Sequence, residues 1–168
     1  MPSISAAHIA PQSGGFEPQR SFDFSIEIYG IPGADVIQLA LLDGFFPTGK
    51  NDIINIKYMA QERKVAGQLT FDEGRFTCVD YVDENTMGIL QAWRATVQNI
   101  QSGALGFASQ YKKEGSVVLL APDGSRPRVM RMAGIWPVSV TGEGLSMGSS
   151  EVFKASVSLA IDIAYPEF

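Results

Sequence analysis

The chain has 168 residues, a length suited to one compact domain, with 45% hydrophobic and 18% charged residues. A formal charge of -5 argues against a protein that grips nucleic acid, because phosphate affinity comes chiefly from Lys and Arg. Cys78 is the one cysteine, which excludes an intramolecular disulfide and a thiolate cluster, and no apolar run reaches the roughly 18 residues needed to span a bilayer. No secretion signal and no membrane insertion are therefore expected.

With 17 Gly and 9 Pro set between strand-like segments, the composition points to a mainly β chain. Residues 1–20 hold Pro2, Pro11, Pro18, Gly14 and Gly15 without periodicity. They read as an irregular arm that either frays or orders on a neighbouring subunit. From Phe22 the pattern changes: Phe22, Phe24, Ile26 and Ile28 alternate with Asp23, Ser25, Glu27 and Tyr29, an amphipathic strand with an acidic face. Gly30-Ile31-Pro32-Gly33 ends it. Residues 34–42 fit a short strand or a helical turn equally well.

Residues 43–52 read as a loop carrying Phe45, Phe46 and Pro47; adjacent phenylalanines in a loop are either folded under the domain or used against a partner. Residues 52–59 look extended, with Ile54, Ile56 and Tyr58 alternating against Asn55 and Lys57, and polar residues follow from Gln61 to Lys64. Residues 65–71 and 76–81 are expected to form a hairpin that turns at Gly74. A helix is expected over residues 84–100, where Met87, Leu90, Trp93, Val97 and Ile100 recur at steps of three and four. Asp83 or Asn85 can cap its start and Gly103 can end it.

Residues 111–137 carry the strongest hairpin signal. Residues 116–120 are extended, Pro122-Asp123-Gly124-Ser125 supplies a turn, residues 128–133 return, and Gly134-Ile135-Trp136-Pro137 closes with an aromatic expected in the core. Residues 139–150 read as a Gly- and Ser-rich loop. The last strand, residues 153–165, keeps period two throughout: Phe153, Ala155, Val157, Leu159, Ile161, Ile163 and Tyr165 share one face, with Lys154, Ser156, Ser158 and Asp162 on the other.

Chemistry is sparse. Gly44 to Lys50 has P-loop spacing, but Asn51 stands where a hydroxyl should reach Mg²⁺, and the flanking Phe45, Phe46 and Pro47 do not suit a phosphate cradle. His8, the one histidine, lies in the irregular arm, so a triad or a histidine metal site would need that arm to fold back. Cys78 reads as a small buried hydrophobe on a strand, and Met130 and Met132 as core filling. No catalytic residue, metal site or cofactor is expected.

The order of these features resembles a known family: an extended first strand, a helix with a Trp, Tyr111-Lys112-Lys113 before an apolar strand, the Asp123-Gly124 turn, Gly134-Ile135-Trp136-Pro137, and the alternating terminal strand over residues 151–162. It resembles the tail tube proteins of contractile-tailed bacteriophages and, more distantly, the tube proteins of type VI secretion and related injection systems. The resemblance is strongest over residues 87–164. It implies a mainly β fold, a β-barrel-like pair of packed antiparallel sheets with one flanking α-helix, in a single domain preceded by the extended arm of residues 1–20.

The resemblance further implies a structural subunit of a phage tail, assembled in the host cytoplasm and located in the virion. Homohexameric rings would stack into a tube, with the sheath, baseplate and tail terminator proteins as partners and genomic DNA passing through the lumen without specific binding. Ring-to-ring contacts are expected at Phe45, Phe46 and Pro47. Lumen-facing candidates are Asp23, Ser25 and Glu27 on the first strand and Lys154, Ser156, Ser158 and Asp162 on the last; an acidic lumen would repel phosphate and let DNA slide. The alternatives are a tube-end adaptor, a terminator or baseplate component, a secretion-system tube subunit, or an enzyme built on a carboxylate pair.

Overall fold

The computed structural model describes residues 18–167, so His8 and most of the N-terminal arm lie outside the described residues. Among the described residues, nine strands and three helices follow in the order β1 (Phe24–Tyr29), α1 (Ala34–Ala40), β2 (Leu41–Asp43), β3 (Gly49–Tyr58), β4 (Gln61–Phe71), β5 (Gly74–Val79), α2 (Thr86–Val97), α3 (Ala108–Tyr111), β6 (Lys113–Leu119), β7 (Arg128–Gly142), β8 (Lys154–Ala160) and β9 (Ile163–Glu167). The fold is mainly β and barrel-like. Seven strands form one antiparallel sheet in the order β1-β6-β7-β8-β5-β2, with β9 added beside β7, while β3 and β4 pair only with each other.

The 15-residue strand β7 runs through both halves of this seven-stranded sheet. Its first half pairs with β6 on one edge and β9 on the other, and its second half pairs with β8. Gly134 makes this possible. It sits at a bulge with φ 68, a left-handed conformation natural to glycine, and the residues facing the core change from Met132 to Ile135 and Pro137 across it. A Cβ at Gly134 would lie 2.2 Å from the Asp162 carboxylate.

The sheets curl around a core of Ile26, Ile28, Phe76, Cys78, Val117, Met132, Ile135, Val157 and Leu159, all nearly or fully inaccessible. Leu90 and Trp93 press α2 onto this core. The Trp93 indole N–H donates to the Tyr111 carbonyl at 3.0 Å, and Arg94 donates through Nε to the Val138 carbonyl at 3.2 Å. The helix is capped at its start by Asn85, whose Oδ1 accepts from Gly88 N at 3.1 Å.

Several sequence expectations change. Phe22 lies before β1 and is 71% exposed, so the buried face of the first strand is Ile26 and Ile28. Residues 34–40 are helical, and Leu41 then enters β2. Residues 65–71 do not pair with residues 76–81: β4 folds back on β3 through Met59-Ala60, and β5 takes β2 and β8 instead. That turn carries no Gly, Asn or Asp signal; Met59 adopts φ 55 itself.

Helix α2 stops at Val97 because Gln98 turns extended and bridges to Leu105, which leaves Ile100 exposed; Gly103 serves the following turn rather than the helix end. The hairpin of β6 and β7 forms as expected, with Leu119 opposite Arg128, but β7 runs on through residues 139–142, so the loop begins only at Glu143. Trp136 is half-buried, edge-on to Tyr111 with ring centroids 5.7 Å apart, and the core tryptophan is Trp93. The terminal run is broken at Ile161-Asp162, beside the Gly134 bulge, and after the break Ile163 and Tyr165 are exposed.

Phe76 is fully buried between the sheets. Replacing it with Ala is expected to cost about 3–5 kcal/mol, from lost burial and the cavity left behind. Urea unfolding followed by tryptophan fluorescence measures this.

Candidate assembly surface

The largest departure from a closed domain is the β3–β4 arm. Every residue of β3 is exposed, and in β4 only Gly67 and Phe71 are partly covered. The register sets Ile54 opposite Val65, Ile56 opposite Arg63 and Tyr58 opposite Gln61, which collects Ile54, Ile56, Tyr58 and Val65 on one face. The Arg63 guanidinium lies 5.7 Å over the Tyr58 ring. On the other face Asn55 opposes Lys64 and Lys57 opposes Glu62.

Such an arm has no source of stability beyond its own ladder and a few end contacts. Asn51 donates to the Gly67 carbonyl at 3.2 Å, and Lys50 pairs with Asp72 at 2.9 Å at the root, which raises the lysine pKa. A two-stranded ribbon with both faces in water is marginal, so the apolar face calls for a cover that the described residues do not supply. The arm also differs in charge from the rest: Lys50, Lys57, Arg63 and Lys64 stand against only Asp52 and Glu62, in a chain whose formal charge is -5.

The expected ring-to-ring residues split three ways. Phe45 packs inward against the core, and its ring fills the space where a Cβ at Gly74 would sit, 2.2 Å away. Pro47 is buried. Phe46 is 48% exposed and, with Phe22, Phe24 and Leu42, lines a cleft of ≈ 440 Å³ where the sheet's two end strands, β1 and β2, approach without hydrogen bonds. The Gly49-Lys50 pair of the P-loop-like spacing opens β3, so no phosphate cradle forms.

The lumen candidates lie mostly on the sheet face turned from the core, and much of their polarity is already engaged. Glu27 takes a 2.5 Å ion pair from Arg126 and a 2.8 Å hydrogen bond from the Tyr29 hydroxyl, which also lies 3.0 Å from Ser116 Oγ. Ser25 Oγ accepts from Gln38, Ser156 bonds Thr77 at 3.2 Å, and Ser158 is 8% exposed. Lys154 approaches Glu143 at 3.9 Å, and Asp162 holds Lys112 at 2.5 Å, raising the lysine pKa chiefly through that hydrogen bond. Asp23 precedes β1, where its carbonyl accepts from Leu120 N.

Sequence reasoning missed the Arg131–Glu167 pair. Arg131 grips Glu167 with two bonds of 2.9 and 3.0 Å across β7 and β9, holding the glutamate pKa below its usual value. Alternation in the terminal strands was the available signal, but the break at Asp162 hid the register. Among the described residues no group of three or more His, Cys, Asp or Glu is placed to hold a metal, and no helix is long and apolar enough to cross a membrane.

Solved structures share this architecture. A chain from the sheath/tube terminator structure of the extracellular contractile injection system PVC superimposes with a TM-score of 0.71 at 14% identity, covering 91% of this chain and 99% of its own. This chain shares its fold with chains from contractile injection system structures. A chain from the PVC sheath-tube complex gives a TM-score of 0.66 at 16% identity over 98% and 99% of the two chains. One from the anti-feeding prophage tube-terminating cap gives 0.66 at 15% identity over 90% and 92%. No family model and no curated protein matches the chain.

An uncovered arm should be the first segment a protease finds in the dissociated protein. Limited trypsin digestion of monomer is expected to cut at Lys57, Arg63 or Lys64 while leaving the sheet body intact, and mass spectrometry of the fragments reads the sites. First cuts in the body would show that the arm is held within the chain.

Proposed function

We propose that the protein is a structural subunit that assembles with copies of itself into the tube of a contractile machine. The observation that carries this reading is the β3–β4 arm: a basic, one-face-apolar ribbon that nothing among the described residues covers, on a fold shared with chains from sheath-tube and terminator structures. Copies would form rings, and rings would stack head to tail. Six-fold symmetry is part of the proposal, supported by fold likeness to a chain from the six-fold symmetrised anti-feeding prophage baseplate, with a TM-score of 0.64 at 12% identity.

Strand edges support ring formation. Among the described residues β1 pairs only with β6, and β9 only with β7, so both leave unpaired backbone donors and acceptors that a neighbouring copy can satisfy. The face turned from the core, rich in Ser and Thr with its charges held in pairs, is the candidate lumen wall. In a phage tail such a lumen would conduct genomic DNA without gripping it. The similar structures come from injection systems, and we assign the tube to that setting, with sheath and terminator proteins as its partners.

A second reading is a tube-end subunit, favoured by the likeness to chains from the PVC terminator and anti-feeding prophage cap structures. Electron microscopy of the concentrated protein separates the two. Stacked annuli of growing length support the tube body, and single or paired rings support the tube end. A compact monomer at every concentration would contradict both.

A further inference from the structure

The root of the arm and the second large cleft lie at opposite ends of strands β1 and β5. The arm is rooted at residues 44–48 and 72–73. β5 departs from that root at Gly74, and β1 begins beside it, since a Cβ on Gly44 would touch Phe24 and Ile26. Both strands run six residues, roughly 20 Å, away from the root. They end at residues 30–33 and 80–84.

These far-end segments flank a cleft of ≈ 490 Å³. Ile31 and Pro32 form one wall, Ile89, Ala92 and Trp93 on α2 form another, and Glu84 and Lys113 both stand in the lining. Residues 80–84, which lead in sequence into the cleft at Glu84, hold three carboxylates; Asp80 accepts from Met87 N, and Asp83 and Glu84 together outweigh the one lining cation, Lys113. The arm's apex is complementary to this. Tyr58 is 60% and Met59 91% exposed, and Lys57, Arg63 and Lys64 surround them with Glu62 as the single acid.

We infer that the apex of the β3–β4 arm docks in the α2 cleft of a second copy, with Tyr58 and Met59 entering against Ile89 and Trp93 and the apex cations meeting Asp83 and Glu84. The inference rests on the self-assembly reading and adds the acceptor to it. Because donor and acceptor occupy opposite ends, the contact is heterologous: each bound copy still presents a free arm at one end and a free cleft at the other, so the interaction propagates along an axis. The opposed charges fix which end meets which, because arm against arm sets like charges together.

Cysteine cross-linking tests the pairing directly. Cys78 is buried and its thiol is pushed up to about 12 by desolvation, so it stays out of the reaction. A protein carrying Met59→Cys and Ala92→Cys, assembled and then oxidised, is expected to run as a ladder of covalent oligomers on a non-reducing gel, whereas neither single variant yields more than dimers.

Charge exchange gives a second readout on exposed residues. Lys57→Glu with Arg63→Glu is expected to raise the concentration needed for assembly on the order of tenfold, and adding Asp83→Lys with Glu84→Lys to restore it. Absence of both ladder and rescue in a protein that still forms tubes would overturn the acceptor assignment while leaving self-assembly standing. Wild-type protein that stays monomeric would overturn the self-assembly reading, and the docking with it.

Discussion

The bulge at Gly134 governs how this chain closes on itself. A strand of 15 residues in a flat sheet would present alternate residues to one face along its whole length. Here the left-handed glycine shifts the alternation in the middle, so the first half of β7 joins β6 and β9 while the second half joins β8, and both halves turn apolar residues onto the same core. Asp162, at the break between β8 and β9, fills the space beside the missing side chain and holds Lys112 across the gap. The bulge and the break are one feature seen on adjacent strands.

A consequence is a division of labour between a closed body and an open arm. The body satisfies its interior with Phe76, Leu90, Trp93 and the strand residues around them, and its outer polar face with paired charges such as Glu27–Arg126 and Arg131–Glu167. Those surface pairs add little stability individually, but they leave that face with its charges balanced in pairs. The arm does the reverse: it exposes Ile54, Ile56, Tyr58 and Met59 and carries excess positive charge out of an acidic chain. A surface of that kind is expensive in a monomer and useful in a polymer.

Much of the body was legible in the sequence, because its signals are local. Period two marked Ile26 and Ile28 and the run from Ala155 to Leu159; the three-and-four spacing marked Leu90, Trp93 and Val97; Asp123-Gly124 marked the β6–β7 turn. What escaped depends on tertiary context. The Met59-Ala60 turn lacks any glycine or asparagine, so the turn signal at Gly74 points β4 towards β5, whereas it pairs with β3. The unbroken alternation to Tyr165 conceals a break beside a bulge on another strand, and Trp136, which the sequence places in the core together with Trp93, is only half-buried against Tyr111. At the candidate surface, the phenylalanine pair was visible as a pair, but only the fold shows that Phe45 belongs to the interior and Phe46 to the outside.

The dependence of the arm on a second copy is open to one direct measurement, hydrogen exchange at the amides of β3 and β4 in dissociated and assembled protein. Exchange near the unprotected rate in monomer, with protection rising by at least about tenfold on assembly while the β6–β7 amides change little, is the predicted result. Arm amides as slow in the monomer as those of β6, or equally fast in both states, would contradict it.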